Sequence, residues 1–500
     1  MSQHGPDLVL IHPGHRSAIY QSLGVSLSAV EPPVWAGLIA TFVRQHGHTV
    51  VIIDCEAENI DAAEAADRVA DLTPRLAAVV VYGHQPSAST QNMTMAGAIC
   101  RAIKARATVP TLLVGGHVAA LPERTLRDGA ADFVAGGEGP STIVDLLGAL
   151  DSTAPDFSAV QGLWYRDGAF VRSTPPAPLV TALDRLMAEP AWDLLPMDRY
   201  RAHNWHTFGH PSRQPYAALY TTLGCPYHCT FCCIQAPFKD GEAALGFPAA
   251  VNSYRRWRPE TVVAAIDRLV GDHGVRHIKI ADEMFVLHRP HVEAICRPLI
   301  ARRRDLNMWA YARVDTAGDD RLLDTLRQAG IRWLAFGIES GASGVRDEAE
   351  KPFEQEAILR TIARVRAAGI HVIANFIFGL PEDTAESMEA TLDLAIELNC
   401  EFANFNTAMA YPGSALYEAA VNAGARLPEE WTGYSQHAVD TLPLATRTLS
   451  ASEILRFRDR AWRTYFTNPR YVDMMERTFG AGVRLQIEAM TGHTLVRHHA

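Results

Sequence analysis

Four cysteines lie within nine residues in the segment 221–234, which reads TTLGCPYHCTFCCI. Cys225, Cys229 and Cys232 have the spacing C-x3-C-x2-C, and Cys233 follows directly. Soft thiolates bind iron–sulfur clusters or zinc. A structural zinc site takes four protein ligands, often as two separated pairs, and that pattern is absent here. Three thiolates on one short loop instead indicate a 4Fe–4S cluster in which the fourth iron keeps a vacant coordination position.

The residues around these cysteines resemble the signature of the radical S-adenosylmethionine (SAM) enzymes. The similarity rests on Gly224, on Pro226 and on the aromatic Phe231, which lies between the last two cysteines of the spaced trio. The resemblance implies that the open iron chelates the amino and carboxylate groups of SAM. It also implies that an electron from an external flavodoxin or ferredoxin lets the cluster cleave SAM into methionine and a 5′-deoxyadenosyl radical.

Composition narrows the class of protein. The chain has 500 residues, of which 48% are hydrophobic and 20% charged, so we expect two or three globular domains. A formal net charge of −10 argues against a nucleic-acid partner. No apolar run approaches the ~20 residues of a membrane span, and the first residues, MSQHGPDLVLIHPG, lack the pattern of a signal peptide. Eight cysteines, four of them in one loop, favour the reducing cytoplasm over a disulfide framework.

Strands and helices alternate over residues 1–150, which predicts an α/β fold. Strands are expected at Leu8–His12, Val50–Ile53, Ala77–Tyr82, Thr111–Val114 and Phe133–Ala135. Helices are expected at Pro33–His46, Ala63–Leu72, Met93–Arg106 and Glu123–Gly129. This order predicts a doubly wound parallel sheet, whose ligands bind at the carboxyl ends of the strands. The loops expected there are Gly83–Asn92, Gly115–His117 and Gly136–Gly139.

These three loops are small, hydroxyl-rich and glycine-rich, and they contain neither a phosphate-loop lysine nor a dinucleotide fingerprint. Composition alone leaves two interpretations open, which are ordinary turns and a surface that a large flat ligand approaches closely. Together with Glu31–Leu38 (EPPVWAGL), Gly47–Asp54 and the SAST of Ser87–Thr90, they resemble the cobalamin-binding domain that precedes the radical SAM domain in one large subfamily. The resemblance implies a Rossmann-like cobalamin domain over residues 1–150.

The motif Asp-x-His-x-x-Gly, whose histidine ligates cobalt in many cobalamin domains, is absent. The resemblance therefore implies that cobalamin binds without a histidine ligand. His84 and His117 are near, but a lone loop histidine is more often solvated than a ligand. Candidates for the lower face of cobalamin are Gln85, Ser87, Ser89 and Thr90. Further predicted cofactor contacts are Gly115, Gly116, Gly136 and Glu138.

Residues 151–210 are predicted to form a linker and bridge. The dipeptide Asp167-Gly168 predicts a hairpin of Val160–Tyr165 and Phe170–Arg172. Leu183–Tyr200 resembles the bridge between the two domains of the subfamily. Three histidines follow, and we interpret them as loop residues rather than a zinc site, with a role in contacting substrate left open. They are His203, His206 and His210.

Six strand–helix units follow in residues 211–425. Strands are predicted at Ala217–Thr222, His277–Ala281, Trp309–Val314, Trp333–Ile338, Val372–Phe378 and Ala403–Ala408. Helices are predicted at Pro259–Asp272, Pro290–Arg303, Arg321–Ala329, Glu354–Ala368 and Ala385–Leu398. Six units make three-quarters of an eight-fold barrel, in which the active site lies at the carboxyl ends of the strands. The radical SAM family is known for this partial (β/α)6 TIM barrel, and Cys225 comes just after its first strand.

Polar residues at the other strand ends fit the same resemblance. It implies that the pair Asp282-Glu283 lies near the SAM amino group and that Glu339 bonds a ribose hydroxyl or the methionyl amine. It also implies that the backbone of Phe378–Asp383 lines the adenine. Ionised carboxylates bond N–H and O–H donors strongly, although each of these acids taken alone fits a helix cap or surface pair as well. The predicted contacts of SAM are Asp282, Glu283, Arg313, Glu339, Ser340 and Gly379.

Residues 426–500 are predicted to form a helical extension. Ser450–Thr467 has a capping serine and an apolar stripe, and Tyr471–Phe479 continues in the same style. We expect this extension to cover the open side of the partial barrel, where it either closes a substrate pocket or caps the core. Its sequence resembles the extensions of cobalamin-type radical SAM enzymes, which include anaerobic magnesium-protoporphyrin ester cyclases and several methyltransferases.

The resemblance implies a cobalamin-dependent radical SAM enzyme, and specifically a C-methyltransferase that acts on an unactivated carbon of a small-molecule or lipid-like substrate. In the implied reaction one SAM methylates cobalamin, a second yields the 5′-deoxyadenosyl radical, and the substrate radical takes the methyl group from methylcobalamin. The alternative is an oxidative cyclase or ring-rearranging enzyme without net methyl transfer. A tRNA methylthiotransferase would need a second cysteine trio upstream, where only Cys55 and Cys100 occur. The barrel landmarks argue against a simple electron or cobalamin carrier.

Overall fold

Two sheets with parallel strands form the centre of the molecule. The computed structural model describes residues 5–83 and 85–500. The first sheet contains β1 (Leu8–His12), β2 (Val50–Asp54), β3 (Leu76–Val81), β4 (Thr111–Gly115), β5 (Phe133–Ala135), β6 (Leu163–Asp167) and β7 (Phe170–Ser173). The second contains β8 (Tyr216–Leu219), β11 (His277–Ile280), β12 (Asn307–Ala312), β13 (Ile331–Glu339), β14 (His371–Phe378) and β15 (Phe402–Thr407). A short antiparallel ladder, β9 (Thr222–Leu223) with β10 (Arg255–Arg256), extends from the end of β8.

The first sheet has the strand order β2-β1-β3-β4-β5-β6-β7. Strands β1 to β5 are parallel, and the order 2-1-3-4-5 is that of a doubly wound fold with its switch point between β1 and β3. The predicted sheet is therefore confirmed. The hairpin of β6 and β7 turns at Gly168 (φ +59°) and pairs antiparallel with β5, so it extends the first sheet instead of standing alone in the bridge.

Helices cover both faces of the first sheet, because successive strand residues point to opposite sides. Leu8 and Leu10 pack with α3 and α10, whereas Val9 and Ile11 pack with α5 and α7. The core on the α3 side continues into the core of the second sheet. The helices up to residue 186 are α1 (Arg16–Tyr20), α2 (Leu23–Ser26), α3 (Val34–Gln45), α4 (Cys55–Glu58), α5 (Ala62–Leu72), α6 (Pro86–Gln91), α7 (Met93–Arg106), α8 (Gly116–Ala120), α9 (Pro122–Asp128), α10 (Pro140–Ala149) and α11 (Leu183–Leu186).

The second sheet has the order β15-β14-β13-β12-β11-β8, with every neighbouring pair parallel. Within the described residues β8 and β15 do not pair, so the barrel stays open at these two edges. The predicted (β/α)6 partial barrel is confirmed. Its helices are α12 (Ala236–Ala244), α13 (Pro259–His273), α14 (Arg289–Arg302), α15 (Asp320–Ala329), α16 (Ser343–Glu348), α17 (Gln355–Ala367), α18 (Ala385–Leu398) and α19 (Ala415–Asn422).

The amino ends of the barrel strands are closed by the segment before β8. Trp205 places its ring 5.3 Å from Trp309, 5.5 Å from Trp333 and 5.6 Å from Phe402. His206 is fully buried and bonds the carbonyl oxygen of Asn307 at 3.0 Å. Because this end is filled with aromatic side chains, a ligand can reach the barrel interior only from the carboxyl ends of the strands or through the open side.

The C-terminal extension lies over that open side, as expected. It consists of α20 (Ala451–Phe466), α21 (Pro469–Phe479) and α22 (Gly482–Thr491). Ser450 and Glu453 form a capping box that starts α20. Beyond α22, the segment 493–498 returns to the first domain, where Gln21 exchanges two side-chain hydrogen bonds of 3.0 Å with the backbone of Val496. Within the part of the chain described, no helix has the length and apolar character that a bilayer crossing requires.

Candidate functional site

The cysteine loop, residues 224–235, follows β9 and is held from both sides. Gly224 has φ +86°, and a Cβ there would lie 2.4 Å from the carbonyl oxygen of Ser253, so only glycine fits. The Cys225 N–H donates to Oε1 of Gln235 at 3.1 Å. Asn252 donates from Nδ2 to the carbonyl oxygen of Cys225 at 3.0 Å. These contacts fix the course of the loop without using any thiol.

The three spaced thiols differ from the fourth in exposure and surroundings. Cys225, Cys229 and Cys232 are partly exposed, whereas Cys233 is buried and lines a cleft towards the first domain. Burial raises the pKa of Cys225 to about 12, and neighbouring Glu283 and Cys229 add to the rise. Thiols must lose their protons to bind iron, so cluster binding would release protons here. The residue types and exposure fit a cluster.

Among the described residues, the cysteine loop does not form a site for a single metal ion. Among residues 5–83 and 85–500, no three or more His, Cys, Asp or Glu side chains are gathered closely enough to hold one metal ion. Thiolates that bind three different irons of a cluster stand farther apart than ligands of a single ion, so this result does not conflict with a cluster. The described histidines of the bridge make no such group either: His206 and His210 lie with His277 at the closed end of the barrel, and His203 bonds the Ala29 N–H at 3.2 Å.

Arg313 lies at the carboxyl end of β12, facing the cysteine loop. Its guanidinium is sandwiched between the ring of Tyr227, at 3.8 Å, and the ring of Phe353, at 4.8 Å. Asp315 accepts from its Nε and Nη2 at 3.2 and 3.3 Å. The remaining nitrogen, Nη1, is buried and has no partner among the described residues. A buried cationic donor without a partner is costly unless a ligand oxygen occupies the site.

Glu339 ends β13 in the left-handed backbone region, with φ +68°. Its carboxylate is buried and pairs with the buried ammonium of Lys351. Burial disfavours the charge of Lys351, but Glu339 and the Cys229 thiol outweigh it and raise the lysine's pKa. Lys351 also lies 5.6 Å from the ring centre of Phe231 in the cysteine loop. The predicted Glu339 thus lies at the cysteine loop, together with Lys351, a cation that no sequence motif indicates.

Asp282 and Glu283 follow β11 and have different surroundings. Asp282 is fully buried and accepts from the backbone and hydroxyl of Thr221, so it braces the end of β8. Burial raises its pKa to about 6. Burial raises the pKa of Glu283 to about 8, and its Oε2 is buried without a partner among the described atoms. Of the predicted acidic pair, Glu283 is the member with free bonding capacity.

Ser340 and Gly379 are explained in large part by packing. The Ser340 hydroxyl bonds Thr391 at 3.1 Å, and its carbonyl oxygen accepts from Arg346 at 2.8 Å. Gly379 has φ +80°, and a Cβ there would lie 2.8 Å from Ile454 of α20. Both residues lie at the expected strand ends, and their roles as cofactor contacts stay predictions.

The loops of the first sheet converge at its carboxyl edge. A Cβ on Gly115 would lie 2.2 Å from the carbonyl oxygen of Val81, so β3 and β4 approach too closely for any side chain. Ser89 accepts from the backbone N–H of His117 at 2.9 Å and bonds Val81. The loop prediction for Gly83–Asn92 was wrong in part, because Pro86–Gln91 forms α6. Proline at the first helical position favours this start.

The remaining predicted residues of the first sheet have varied surroundings. The Thr90 hydroxyl lies 3.2 Å from Nδ1 of His117, whose pKa burial lowers to about 3. A Cβ on Gly116 would be in ordinary van der Waals contact with Ser89, at 3.8 Å. Gln85 is exposed, and Ser87 is half-buried in α6. A Cβ on Gly136 would meet Trp164 at 2.7 Å. His84 lies outside the described residues.

Glu138 connects the two sheets. Its carboxylate accepts from Arg255, beside the cysteine loop, at 2.8 and 3.1 Å and from the Val180 N–H at 3.0 Å. Arg255 also packs 5.0 Å from the ring centre of Phe238. The role of Glu138 as a cofactor contact stays a prediction. Its hydrogen bonds to Arg255 give it a second role, which is to hold the two domains together.

Two openings lie between these elements. A narrow cleft separates the first sheet from the cysteine loop and is lined by Trp35, Tyr82, Ser89, Gly116, Cys233 and Glu283. A larger cavity of about 550 Å³ runs through the barrel interior to the C-terminal extension. Its walls include Trp309, Tyr311, Asn404, Asn406 and Trp462, and it reaches Gln85 of the first domain. Cofactors at the two sheet edges would therefore face a common interior.

Several residues of the site are visible only in the structure. Gln235 and Asn252 hold the cysteine loop, and Lys351 pairs with Glu339. Glu31 enters the barrel from the first domain and bonds the buried Lys279 at 3.0 Å. Gln235 lies two residues after the cysteine motif and could have been noticed there, whereas the others have no local signal.

Comparison with known proteins identifies both halves of the chain. The family model of the radical SAM superfamily matches residues 219–395, and that of the B12 binding domain matches residues 20–147. A protein of Pyrococcus horikoshii described as an uncharacterized methyltransferase is 26% identical over 93% of each chain. The anaerobic magnesium-protoporphyrin IX monomethyl ester cyclase of Rubrivivax gelatinosus is 27% identical over 82% of this chain and 69% of its own.

A solved structure has the same fold. The radical S-adenosylmethionine methyltransferase TsrM of Kitasatospora setae, with tryptophan and a SAM analogue bound, superposes with a TM-score of 0.65 over 97% of this chain and 98% of its own, at 16% identity. In this chain the B12 binding match precedes the radical SAM match, and the cysteine loop faces the loops of the first sheet across the narrow cleft. The chain thus belongs to the family of radical SAM enzymes with an N-terminal cobalamin-binding domain, and its cofactors are a 4Fe–4S cluster, SAM and cobalamin.

Proposed function

We propose that the protein is a C-methyltransferase that acts on an unactivated carbon of a small molecule. The observation that carries the proposal is the arrangement of two cofactor edges around one interior, where the cleft beside Cys233 adjoins the cavity of about 550 Å³. The methyltransferase description of the Pyrococcus horikoshii relative, which spans nearly the whole chain, supports it. Direct transfer of a methyl group needs donor and acceptor to meet in one enclosed space.

The proposed cofactor contacts divide between the two edges. Cys225, Cys229 and Cys232 would hold the cluster. Arg313 would donate to the SAM carboxylate from Nη1, which has no partner among residues 5–83 and 85–500, while Glu339 and Glu283 would accept from SAM donors. When bound, cluster and SAM supply a hydrogen-abstracting radical, and cobalamin supplies the methyl group. The chain's own residues position these groups and keep water away from them.

The cavity supports a compact substrate. Trp309, Tyr311 and Trp462 provide apolar walls, and Asn404 and Asn406 point amides from β15 into the same space. A volume of about 550 Å³ is typical of small-molecule sites and small for a long lipid chain.

All eight cysteines are free thiols, which supports a reducing compartment such as the cytoplasm.

The test uses protein reconstituted with iron, sulfide and cobalamin and reduced with dithionite. With SAM labelled in its methyl group, we expect 5′-deoxyadenosine to form and label to appear in the cobalamin extracted from the protein. Once a substrate is found, label should also appear in the product. Deoxyadenosine without any label in cobalamin would contradict methyl transfer while leaving the radical reaction intact.

A second candidate is an oxidative cyclase, favoured by the 27% identity to the Rubrivivax gelatinosus ester cyclase. The same residues would then position a substrate that is oxidised without gaining carbon. The product decides between the two functions, because a methyl transfer adds a labelled carbon and a cyclisation does not.

A further inference from the structure

Three uncharged polar side chains in the large cavity keep free bonding capacity. Asn406 and Tyr311 are half-buried and line the cavity, and no hydrogen bond within the described residues uses the Asn406 amide or the Tyr311 hydroxyl. Asn404 donates from Nδ2 to Oδ1 of Asn375 at 2.8 Å, while its own Oδ1 has no partner in the same part of the chain. The cavity wall therefore offers a ligand one complete amide, a second amide oxygen and a hydroxyl.

The strands place the two amides in a row that leads towards the cofactor edge. β14 and β15 are parallel, and Asn375 is paired with Asn404 in their register. Asn406 is two residues further along β15, so its side chain points to the same face, about 7 Å nearer the carboxyl end of the strand. A molecule bound to Asn406 would thus lie between the closed end of the barrel and the edge that carries the cysteine loop.

Aromatic rings form much of the remaining wall. Trp309 and Tyr311 lie on β12, with ring centres 5.2 Å apart and ring planes at 68° to each other. Phe402 lies on β15 with its ring stacked on that of Trp205, and Trp462 of α20 adds an indole from the C-terminal extension. Flat aromatic surfaces favour a planar ligand, because rings pack on one another with large contact areas.

The charged side chains of the cavity already have partners or face solvent. All lining residues of the types Lys, Arg, Asp and Glu belong to α20, and they are Arg458, Asp459, Arg460 and Arg463. Asp459 accepts from Arg458 at 2.7 Å and from Arg497 at 2.9 Å. Every side-chain nitrogen of Arg458 and of Arg497 has a partner. Arg460 pairs with a glutamate of α18, and Arg463 is exposed. The free bonding groups of the described interior are therefore the uncharged ones.

We propose that the cavity binds an uncharged planar ring compound whose edge presents an N–H donor beside a C=O acceptor, as a cyclic amide does. The proposal rests on the proposed function, since it takes the cavity as the substrate site. A carboxamide complements such an edge with two parallel hydrogen bonds, so Asn406 would donate from Nδ2 to the ligand carbonyl and accept at Oδ1 from the ligand N–H. Burial raises the pKa of Tyr311, so its hydroxyl stays neutral and bonds a further polar group of the ring.

The test compares three ring compounds of similar size on protein reconstituted with cluster and cobalamin. 2-Quinolone has the donor–acceptor edge, N-methyl-2-quinolone has lost the donor, and 2-naphthoate carries a negative charge instead. In equilibrium dialysis we expect 2-quinolone to bind roughly tenfold more tightly than either of the others, because each of these leaves a buried amide atom without its partner. Equal affinities for all three compounds would overturn the proposal, and so would tightest binding of 2-naphthoate.

Variants at Asn406 assign the preference to one side chain. Asn406→Leu keeps the approximate shape and removes both hydrogen bonds, so the affinities for 2-quinolone and N-methyl-2-quinolone should become equal within about twofold. Unchanged binding of N-methyl-2-quinolone shows that the cavity is intact, and Asn406→Ala should give the same pattern. The matched control is Asn422→Leu, at the exposed end of α19, which should keep the full preference. A preference that survives in both Asn406 variants would contradict the assignment.

Binding and methyl transfer can fail separately in these experiments. Dialysis needs neither SAM nor turnover, so the binding preference is measured independently of the reaction. Methyl label in cobalamin without any preference for 2-quinolone would reject the proposed substrate class and keep the proposed function. A clear preference without label in cobalamin would reject methyl transfer and keep the binding site.

Discussion

The two sheets present their carboxyl edges to the same interior but with different chemistry. The edge of the first sheet presents mainly backbone groups. Gly115 has no room for a side chain, and the Ser89 hydroxyl is already bonded to neighbouring backbone. The edge of the second sheet carries charged groups and thiols, and two of its buried polar atoms, on Arg313 and Glu283, have no partner in the described part of the chain. A backbone edge selects a ligand by shape, whereas an edge with unpaired charges selects a charged ligand.

The largest expected effect lies in the thiols of the second edge. Cys232→Ala should abolish both iron binding and formation of 5′-deoxyadenosine, because a cluster loses one of its three protein ligands. Cys233→Ala removes the neighbouring, buried thiol and should keep both. Iron content and deoxyadenosine yield of the reconstituted variants are the measurements. Equal losses in the two variants would show that the predicted set of three cysteine ligands is wrong. The proposed difference between the two edges would then lose its main support.

The next effect concerns the contact between the edges. Arg255→Met leaves the buried Glu138 carboxylate unpaired, so the free energy of unfolding should fall by about 3–5 kcal/mol. Adding Glu138→Gln should recover part of that loss, as a double-mutant cycle on the purified apoprotein would measure. Additive losses in the cycle would show that the pair does not couple the two sheets.

A smaller effect is expected at the backbone edge of the first sheet. Gly115→Ala places a Cβ 2.2 Å from the carbonyl oxygen of Val81, which must push β4 away and reshape the proposed cobalamin site. We expect cobalamin affinity, followed by its absorption spectrum, to fall by about tenfold, the consequence of 1–3 kcal/mol of overpacking. Gly148→Ala in α10 is the control, since nothing lies within 4 Å of its added Cβ. Unchanged cobalamin binding in Gly115→Ala would mean that this edge does not select by shape.

The smallest effect is a difference in acid stability between the sheets. Burial lowers the pKa of His277 and of His371 to about 4, and both lie at the closed end of the barrel. Between pH 6.5 and about 4 the unfolded chain binds protons that the folded chain refuses, so stability falls as pH falls through this window. By pH 6, about half a unit below the usual histidine pKa, the loss should be on the order of 1 kcal/mol. Hydrogen exchange at pH 5 should show the second sheet opening before the first, and the reverse order would contradict this assignment.

Local sequence patterns predict most of the secondary structure and the position of the cysteine loop. The barrel strands were predicted within a few residues because each is a short apolar run between amphipathic helices, and β14 and α18 begin or end within a residue or two of the expected bounds. The cysteine spacing predicted a cluster loop because three ligands within eight residues need no tertiary information. Helix α6 is the exception, because its small, hydroxyl-rich residues are typical of a loop and favour no helix.

Interactions between distant residues could not be predicted in this way. Glu138 and Arg255 are 117 positions apart, and Glu31 and Lys279 are 248 apart, so no local pattern pairs them. The hairpin was recognised, but its pairing with β5 depends on which sheet edge is free when the chain folds. The unpaired atoms of Arg313 and Glu283 likewise become visible only when their neighbours are known.

The segment 493–498 affects how fast a molecule can enter or leave the large cavity. Its residues His493 to Leu495 line the cavity, while Arg497 is fixed by two bonds of 2.9 and 3.0 Å to Asp459 and Val496 is fixed to Gln21. A molecule that enters or leaves on this side must wait until these bonds break. The time a molecule spends inside would then depend on how often the segment 493–498 opens as well as on affinity, and a short-lived radical would react before solvent enters.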